Sequence, residues 1–207
     1  MAQLLPPNPP KQSRSQRTLE RIVWASLEIL EREGPEGLTV QAIVSRAGSS
    51  VGSFYARFGG KEELLQYLGE RVWRESALRW DEAVASRDWT GLSFSELAEG
   101  AVRLLGEAGR SRAIYLRALA RVPGGGDDAY QAFQAHVMEG IAGLMLARSG
   151  EMDHPDPEVA VRLGLRAVSA ILDDRAGAGV GEAIPLERRM EEAARFLVSY
   201  LIRGERG

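Results

Sequence analysis

Apolar residues recur every three or four positions along most of the chain, and this period predicts helices. No stretch of convincing length alternates between apolar and polar residues, so we expect no sheet. The pattern therefore predicts an all-α fold of about nine helices. In the first helix, predicted over residues 14–33, the buried stripe comprises Leu19, Ile22, Val23, Ser26, Leu27 and Leu30.

Two short helices are predicted directly after the first one. Thr39 caps a helix over residues 40–47, because its hydroxyl can accept a hydrogen bond from the first turn. Gly48 then supplies a turn, and Ser49 or Ser50 caps the next helix. Two helices joined in this way are typical of a helix-turn-helix, whose second helix lies in the DNA major groove.

Six further helices are predicted in the rest of the chain. The chain as a whole is expected to divide into three parts. Residues 1–13 form a proline-rich, disordered tail, residues 14–70 form the helix-turn-helix DNA-binding domain, and residues 71–207 form a helical body. The six helices are predicted over residues 61–86, 93–107, 110–122, 128–148, 156–173 and 185–203.

Composition is that of an ordinary globular protein and removes several kinds of site. Of 207 residues, 44% are hydrophobic and 27% charged, and none is cysteine, which excludes disulfides, thiolate zinc sites and cysteine nucleophiles. No apolar run approaches the roughly 20 residues of a membrane span, and the first ten residues lack the layout of a signal peptide. We therefore expect a cytoplasmic protein with no membrane partner.

Charge is distributed unevenly along the chain. The net charge is −3, yet residues 1–61 carry eight Lys and Arg against five Asp and Glu, while residues 62–207 carry 18 against 24. A basic head on an acidic body suits a protein that contacts phosphate at one end. A difference of this size can also arise by chance.

The segment 47–65, AGSSVGSFYARFGGKEELL, supplies candidate contacts to DNA bases. Ser50, Gly52 and Ser53 are small, so the backbone of the third helix can approach the base edges, and a serine hydroxyl can donate or accept. Val51 can lie against a thymine methyl group.

Other side chains of this domain suit contact with phosphate. Tyr55 can rest its ring on the core and extend its hydroxyl to a phosphate oxygen. Thr39 and Lys61 lie at predicted helix starts, where the helix dipole favours an anion. Arg57 can reach a phosphate or, less favourably, a guanine. The alternative for Thr39 is that it is only a cap.

A basic lead-in, which we define as residues 11–18 (KQSRSQRT), precedes most of the first helix. Its Arg14 and Arg17 can reach the minor groove beside the base contacts, as basic arms do. A solvated start of the first helix is an equal alternative.

Three segments resemble the N-terminal domain of the TetR family of transcriptional regulators. They read IVWASLEILEREG, GLTVQAIVSRAG and SVGSFYARFGGKEELL, within about a third of the chain. The resemblance implies that Thr39, Tyr55 and Lys61 contact the DNA backbone and that Val51 and Ser53 lie in the groove. The full predicted DNA-binding set is Thr39, Ser49, Ser50, Val51, Gly52, Ser53, Tyr55, Arg57 and Lys61.

The chain departs from the commonest family pattern at two positions. Ala56 stands where a larger polar or aromatic residue is frequent, which puts base contact there in doubt. Gly60 stands where Ser, Asp or Asn usually caps the next helix, and glycine weakens such a cap by only a few tenths of a kcal/mol.

For the body, the resemblance implies a variable helical domain that binds a ligand and forms a homodimer. Two helices from each of two copies would make a four-helix interface, although the same stripes can also be buried within one chain. The stripes comprise Val159, Leu163, Ala167, Ala170 and Ile171 in one helix and Met190, Ala194, Leu197 and Leu201 in the other.

Aromatic and related side chains of the body are candidates for an effector cavity. Such residues on helices are more often simply core. The predicted ligand-binding residues are Trp80, Tyr115, Phe133 and His136, with Trp73, Phe94 and Met145 as further candidates.

The sequence thus predicts a ligand-responsive DNA-binding regulator, most readily a repressor, which binds a near-palindromic operator as a homodimer and leaves it when an unidentified small molecule binds. No catalytic motif is present and the two histidines, His136 and His154, are far apart, so we expect no enzyme, no metal and no cofactor. The alternative is a helical ligand-binding or scaffold protein of the same fold that has lost operator recognition.

Overall fold

The computed structural model describes residues 13–119, 127–173 and 184–202, and within these ranges it contains α-helices and one short 3-10 helix but no strand. The all-α prediction is confirmed. The helices are α1 (Ser13–Gly37), α2 (Val40–Arg46), α3 (Val51–Tyr55), α4 (Lys61–Ala85), α5 (Phe94–Leu119), α6 (Asp127–Leu146), α7 (Pro157–Leu172) and α8 (Leu186–Leu201), with the 3-10 helix at Ser149–Glu151.

One predicted interruption is wrong, since the helices expected over residues 93–107 and 110–122 form the single helix α5. Gly109 lies inside α5 without a positive φ. A glycine costs only about 1 kcal/mol in a helix relative to alanine, and its neighbours here are the good helix formers Glu, Ala and Arg. The described residues therefore contain eight α-helices instead of about nine. The predicted tail, residues 1–13, lies outside the described residues except for Ser13.

Several helix starts that were predicted from the sequence have the expected caps in the structure. Thr39 accepts a hydrogen bond from a backbone N–H in the first turn of α2 at 3.1 Å, and Asp156 does the same for α7 at 3.0 Å. Ser93 and Glu96 form a capping box before α5, with the Ser93 N–H donating to Glu96 at 2.7 Å and the Glu96 N–H donating to Ser93 at 3.3 Å. The backbone N–H and the hydroxyl of Ser93 lower the pKa of Glu96.

The chain divides into two compact units, of which the first contains residues up to Leu78 and residues from Arg112 to Phe133. Its core joins α1 to α4 with the end of α5 and the beginning of α6. The domain boundary expected near residue 70 lies within α4. Fully buried members of this core include Ile22, Val23, Ile29, Leu30, Leu38, Ile43, Phe54, Phe58 and Leu64.

Ion pairs join α1 to α4 in the first unit. The guanidinium of Arg71 on α4 lies 3.0 Å from the carboxylate of Glu20 on α1 and 2.9 Å from that of Glu75 on α4. Tyr67 lies one turn before Arg71, and burial raises the pKa of its hydroxyl. These contacts hold α4, which follows the helix-turn-helix, against the first helix.

The second unit contains residues 79–111 and the residues from Gln134 onward, and α7 and α8 pack against each other within it. They approach closely at Gly164, where an added Cβ would lie 2.7 Å from a methyl group of Leu197. The stripe expected to face a partner from α8 is wrong for Ala194, Leu197 and Leu201, because the single chain already buries them. No described helix has both the length and the apolar character that crossing a membrane requires.

Candidate nucleic-acid interface

The helix-turn-helix is built from α2, the turn at Gly48 and α3. Gly48 has a φ of 56°, a left-handed conformation that glycine adopts without the steric cost of a Cβ. Ile43 and Val44 anchor α2 in the core, and Phe54 anchors α3. These contacts leave the opposite side of α3 exposed.

Ser50 caps α3 in the way that the sequence predicts. Its Oγ accepts a hydrogen bond from the Ser53 N–H at 3.1 Å and lies 3.0 Å from the Ser53 Oγ. Ser50, Val51, Gly52 and Tyr55 are exposed, and we call them together with the half-buried Ser53 the outer face of α3. Val51, an apolar residue, is 40% exposed.

Tyr55 and Lys61 lie at the surface in positions that suit phosphate contact. The ring of Tyr55 packs edge-on against Phe54 at a centroid distance of 5.4 Å, and the residue is 53% exposed. Lys61 begins α4, and its Nζ donates to the carbonyl oxygen of Pro35 at 3.3 Å. Thr39 is exposed and also caps α2, so its cap function is present and its phosphate contact stays a prediction.

Two members of the predicted set lie differently from expectation. Arg57 is only 8% exposed, and its guanidinium donates to Ser53 and Ser15 instead of projecting from the surface. This orientation is a correction to the prediction that Arg57 reaches a phosphate or a guanine. The Oγ of Ser49 is buried and has no hydrogen-bond partner, so it does not belong to the outer face of α3. The Arg57 contact had no sequence signal, because Ser15 lies 42 residues away.

The four predicted ligand-binding residues are divided between the two units. Tyr115 and Phe133 belong to the first unit, where the Tyr115 hydroxyl donates to Glu31 and the Phe133 ring stacks on Trp73 at a centroid distance of 5.6 Å. The second unit contains the other two predicted residues. Trp80 is buried there, and His136 Nε2 lies 2.6 Å from Asp81 Oδ1. Their binding of an effector stays a prediction.

Comparison with known proteins identifies the segment that contains this interface. Residues 22–68 match the family model described as "Bacterial regulatory proteins, tetR family". The HTH-type transcriptional repressor DrrR1 of Streptomyces coeruleorubidus is 39% identical over 59 residues, which is 28% of this chain. The match spans only 22% of that repressor's length.

Solved structures resemble nearly the whole chain. A TetR transcription regulator from Haloarcula marismortui has a TM-score of 0.60 at 16% identity, covering 90% of this chain and 97% of its own. A protein of unknown function from Rhodococcus sp. RHA1 has a TM-score of 0.66 at 16% identity, covering 90% of this chain and 96% of its own. At such identities the similarity shows the fold.

Proposed function

We propose that this chain, whose residues 22–68 match the tetR family model, belongs to the TetR family of transcriptional regulators and is a homodimeric repressor that leaves its operator when a small molecule binds. Repression, as opposed to activation, is supported by the relative DrrR1, which is described as a transcriptional repressor. The target is chromosomal DNA, so the proposed location is the cytoplasm.

The observation that carries the proposal is the exposure of the outer face of α3. A helix that is anchored by Phe54 and capped by Ser50 has a fixed direction, and here it presents small groups and one valine to solvent. Backbone and side chains of this size can approach base edges, where a hydroxyl can bond and a valine can contact a thymine methyl.

Phosphate contacts around α3 would orient the domain on the duplex. Tyr55 is held by its ring on Phe54, so little side-chain entropy is lost when its hydroxyl bonds a phosphate oxygen. Lys61 would exchange its bond to a neutral carbonyl for one to a phosphate, which is stronger because both partners are charged. Such contacts give affinity and register, whereas the bases give specificity.

A second copy of the chain is the proposed partner of an apolar face on α7 and α8. Leu163 is 48% exposed and Phe196 is 39% exposed, beside the positions Gly164 and Leu197 at which the two helices meet. Val159, one turn before Leu163, is also exposed. The ion pairs of Arg162 with Glu158 and of Arg195 with Glu192 lie on the same helices, so apolar residues are bordered by charged ones, as in protein interfaces.

The proposed effector acts by favouring one of two states of the dimer. Two α3 helices about one helical turn of DNA apart would read the two halves of the operator. A ligand can bind more tightly to a dimer whose two α3 helices have a different separation. Such a ligand lowers operator affinity by at most the ratio of its affinities for the two states of the dimer.

The test is the salt dependence of binding to a duplex that the unaltered protein enriches from a randomised library, which we call the selected duplex. Each neutralised phosphate contributes a slope of about −0.9 to log affinity against log salt concentration, so Lys61 from two copies alone contributes about −1.8. We expect a total slope steeper than this. An affinity that does not change with salt, or failure to enrich any sequence, would favour the scaffold alternative.

A further inference from the structure

Arg57 occupies an unusual position for a cation in a DNA-binding domain. It follows α3 by two residues and is 8% exposed, and no carboxylate pairs with it among the described residues. Its Nε is buried without a hydrogen-bond partner. Burying a charge with incomplete pairing is unfavourable for folding unless its other contacts offset the cost.

One side of the guanidinium caps the C-terminal end of α3. The backbone N–H of Arg57 donates to the Phe54 carbonyl at 2.9 Å and that of Ala56 donates to the Gly52 carbonyl at 3.0 Å. The carbonyl of Ser53 instead receives a hydrogen bond from Arg57 Nη1. A cation at this end of a helix satisfies an unpaired carbonyl and is favoured by the helix dipole.

The other side of the guanidinium holds the first turn of α1. Arg57 Nη2 donates to the carbonyl oxygen of Ser15 at 3.0 Å and to its Oγ at 2.6 Å. One planar group therefore joins two elements that are 42 residues apart, and its fork geometry fixes their relative direction.

The element fixed in this way carries the basic lead-in. Ser15 lies inside residues 11–18, and Arg17, which is exposed, follows it by two positions on α1. Because α3 and Ser15 are bonded to the same side chain, Ser15 of the lead-in lies next to the end of α3.

We propose that Arg57 is a positioning residue for DNA recognition: its guanidinium clamps the start of α1 to the end of α3, so that Arg17 reaches phosphate next to the bases that α3 reads. This inference rests on the proposed function. Arg57 acts through Ser15 and Ser53, to which its two Nη atoms donate, and it is itself only 8% exposed.

Arg57→Lys separates positioning from charge. Lysine keeps the charge but presents a single ammonium group, which cannot bond both Ser53 and Ser15 in the arginine geometry. We expect Arg57→Lys to lower affinity for the selected duplex about a hundredfold, the effect of one charged hydrogen bond lost in each of the two copies. The matched control, Arg32→Lys on the exposed side of α1, should leave affinity unchanged, since Arg32 lies at the surface, where it pairs with Glu28. Equal affinities of Arg57→Lys and the unaltered protein would overturn the proposal.

The Arg17→Gln variant tests whether Arg57 acts by positioning Arg17 on a phosphate. In an otherwise unaltered protein, Arg17→Gln should flatten the slope of log affinity against log salt concentration by about 1.8, because one phosphate contact is lost in each copy. In the Arg57→Lys background it should change the slope little, because the contact is already lost. Additive effects of the two substitutions would mean that Arg57 does not act through the lead-in, and would also overturn the proposal.

Amide hydrogen exchange on the full-length protein tests the clamp without DNA. Both Arg57→Lys and the milder Ser15→Ala, which removes only the Oγ bond, should speed exchange in the first turns of α1 and in α3 while other protected amides stay unchanged. Unchanged exchange in both variants would contradict the clamp. If exchange changes as expected but the unaltered protein enriches no duplex, the clamp exists and the proposed function fails, and with it the role of Arg57 in recognition.

Discussion

Replacing Tyr55 and Lys61 together with alanine is expected to lower affinity for the selected duplex by roughly 10⁴–10⁶-fold. A hydrogen bond to a charged group contributes about 1.5–3 kcal/mol and a typical one about 1 kcal/mol, and a dimer loses each of them twice. The salt slope should also flatten by about 1.8, because only the two lysines displace counterions. Affinity is measured by fluorescence anisotropy with labelled duplex over a series of salt concentrations.

The same substitution should leave the fold nearly intact. Tyr55 is more than half exposed, and Lys61 is exposed with one bond to the Pro35 carbonyl. Surface changes of this kind are usually within about 0.5 kcal/mol each, so the melting temperature should shift by only a few degrees. Tyr55→Phe is the control that keeps the ring on Phe54 and removes only the hydroxyl. Loss of DNA binding that occurs only with a large drop in melting temperature would contradict a contact role.

Replacing Leu163 and Phe196 together with arginine is expected to convert the proposed dimer into a monomer. Two unpaired guanidinium groups per chain would have to be buried in the interface, whereas in the monomer they are solvated. A single half-site contact replaces two linked ones, so operator affinity should fall by roughly 10²–10⁴-fold. Sedimentation velocity measures the oligomeric state and anisotropy measures the affinity.

The control for the interface is Leu78→Arg, which changes another exposed leucine, on α4 in the first unit. This variant should sediment as the unaltered protein does. If the variant at Leu163 and Phe196 remains dimeric, the face on α7 and α8 is not the dimer surface. If it is monomeric but binds the selected duplex with full affinity, dimerisation is not needed for recognition.

Local features were predicted well because neighbouring residues determine them. The caps at Thr39 and Asp156 each depend on one hydroxyl or carboxylate and an N–H three positions away. The break expected near Gly109 was wrong because glycine weakens a helix without ending it, and helical neighbours prevail.

Features that depend on distant contacts could not be predicted. Arg57 has the sequence context of an exposed cation on a recognition helix, and only the position of Ser15 turns it inward. On α8 the apolar period identifies a buried side correctly, yet it does not tell whether the partner is α7 or another chain. The packing of Leu197 against Gly164 decides that, and it leaves Phe196 as the exposed residue.

The outer face of α3 is the part of the site on which sequence and structure agree. Ser50 caps the helix, Phe54 turns inward, and Val51 and Tyr55 turn outward. The family resemblance rests on the same stretch, which lies within residues 22–68.

Sequence selection with a Val51→Ala variant tests most directly whether this face reads bases. Removing the valine methyl groups takes away the proposed contact with a thymine methyl but leaves the phosphate contacts. Duplexes enriched by Val51→Ala should differ from those enriched by the unaltered protein at one symmetry-related pair of positions, whereas Lys61→Ala should enrich the unaltered sequence more weakly. Identical preferences for Val51→Ala and the unaltered protein at every position would contradict the placement of α3 in the major groove.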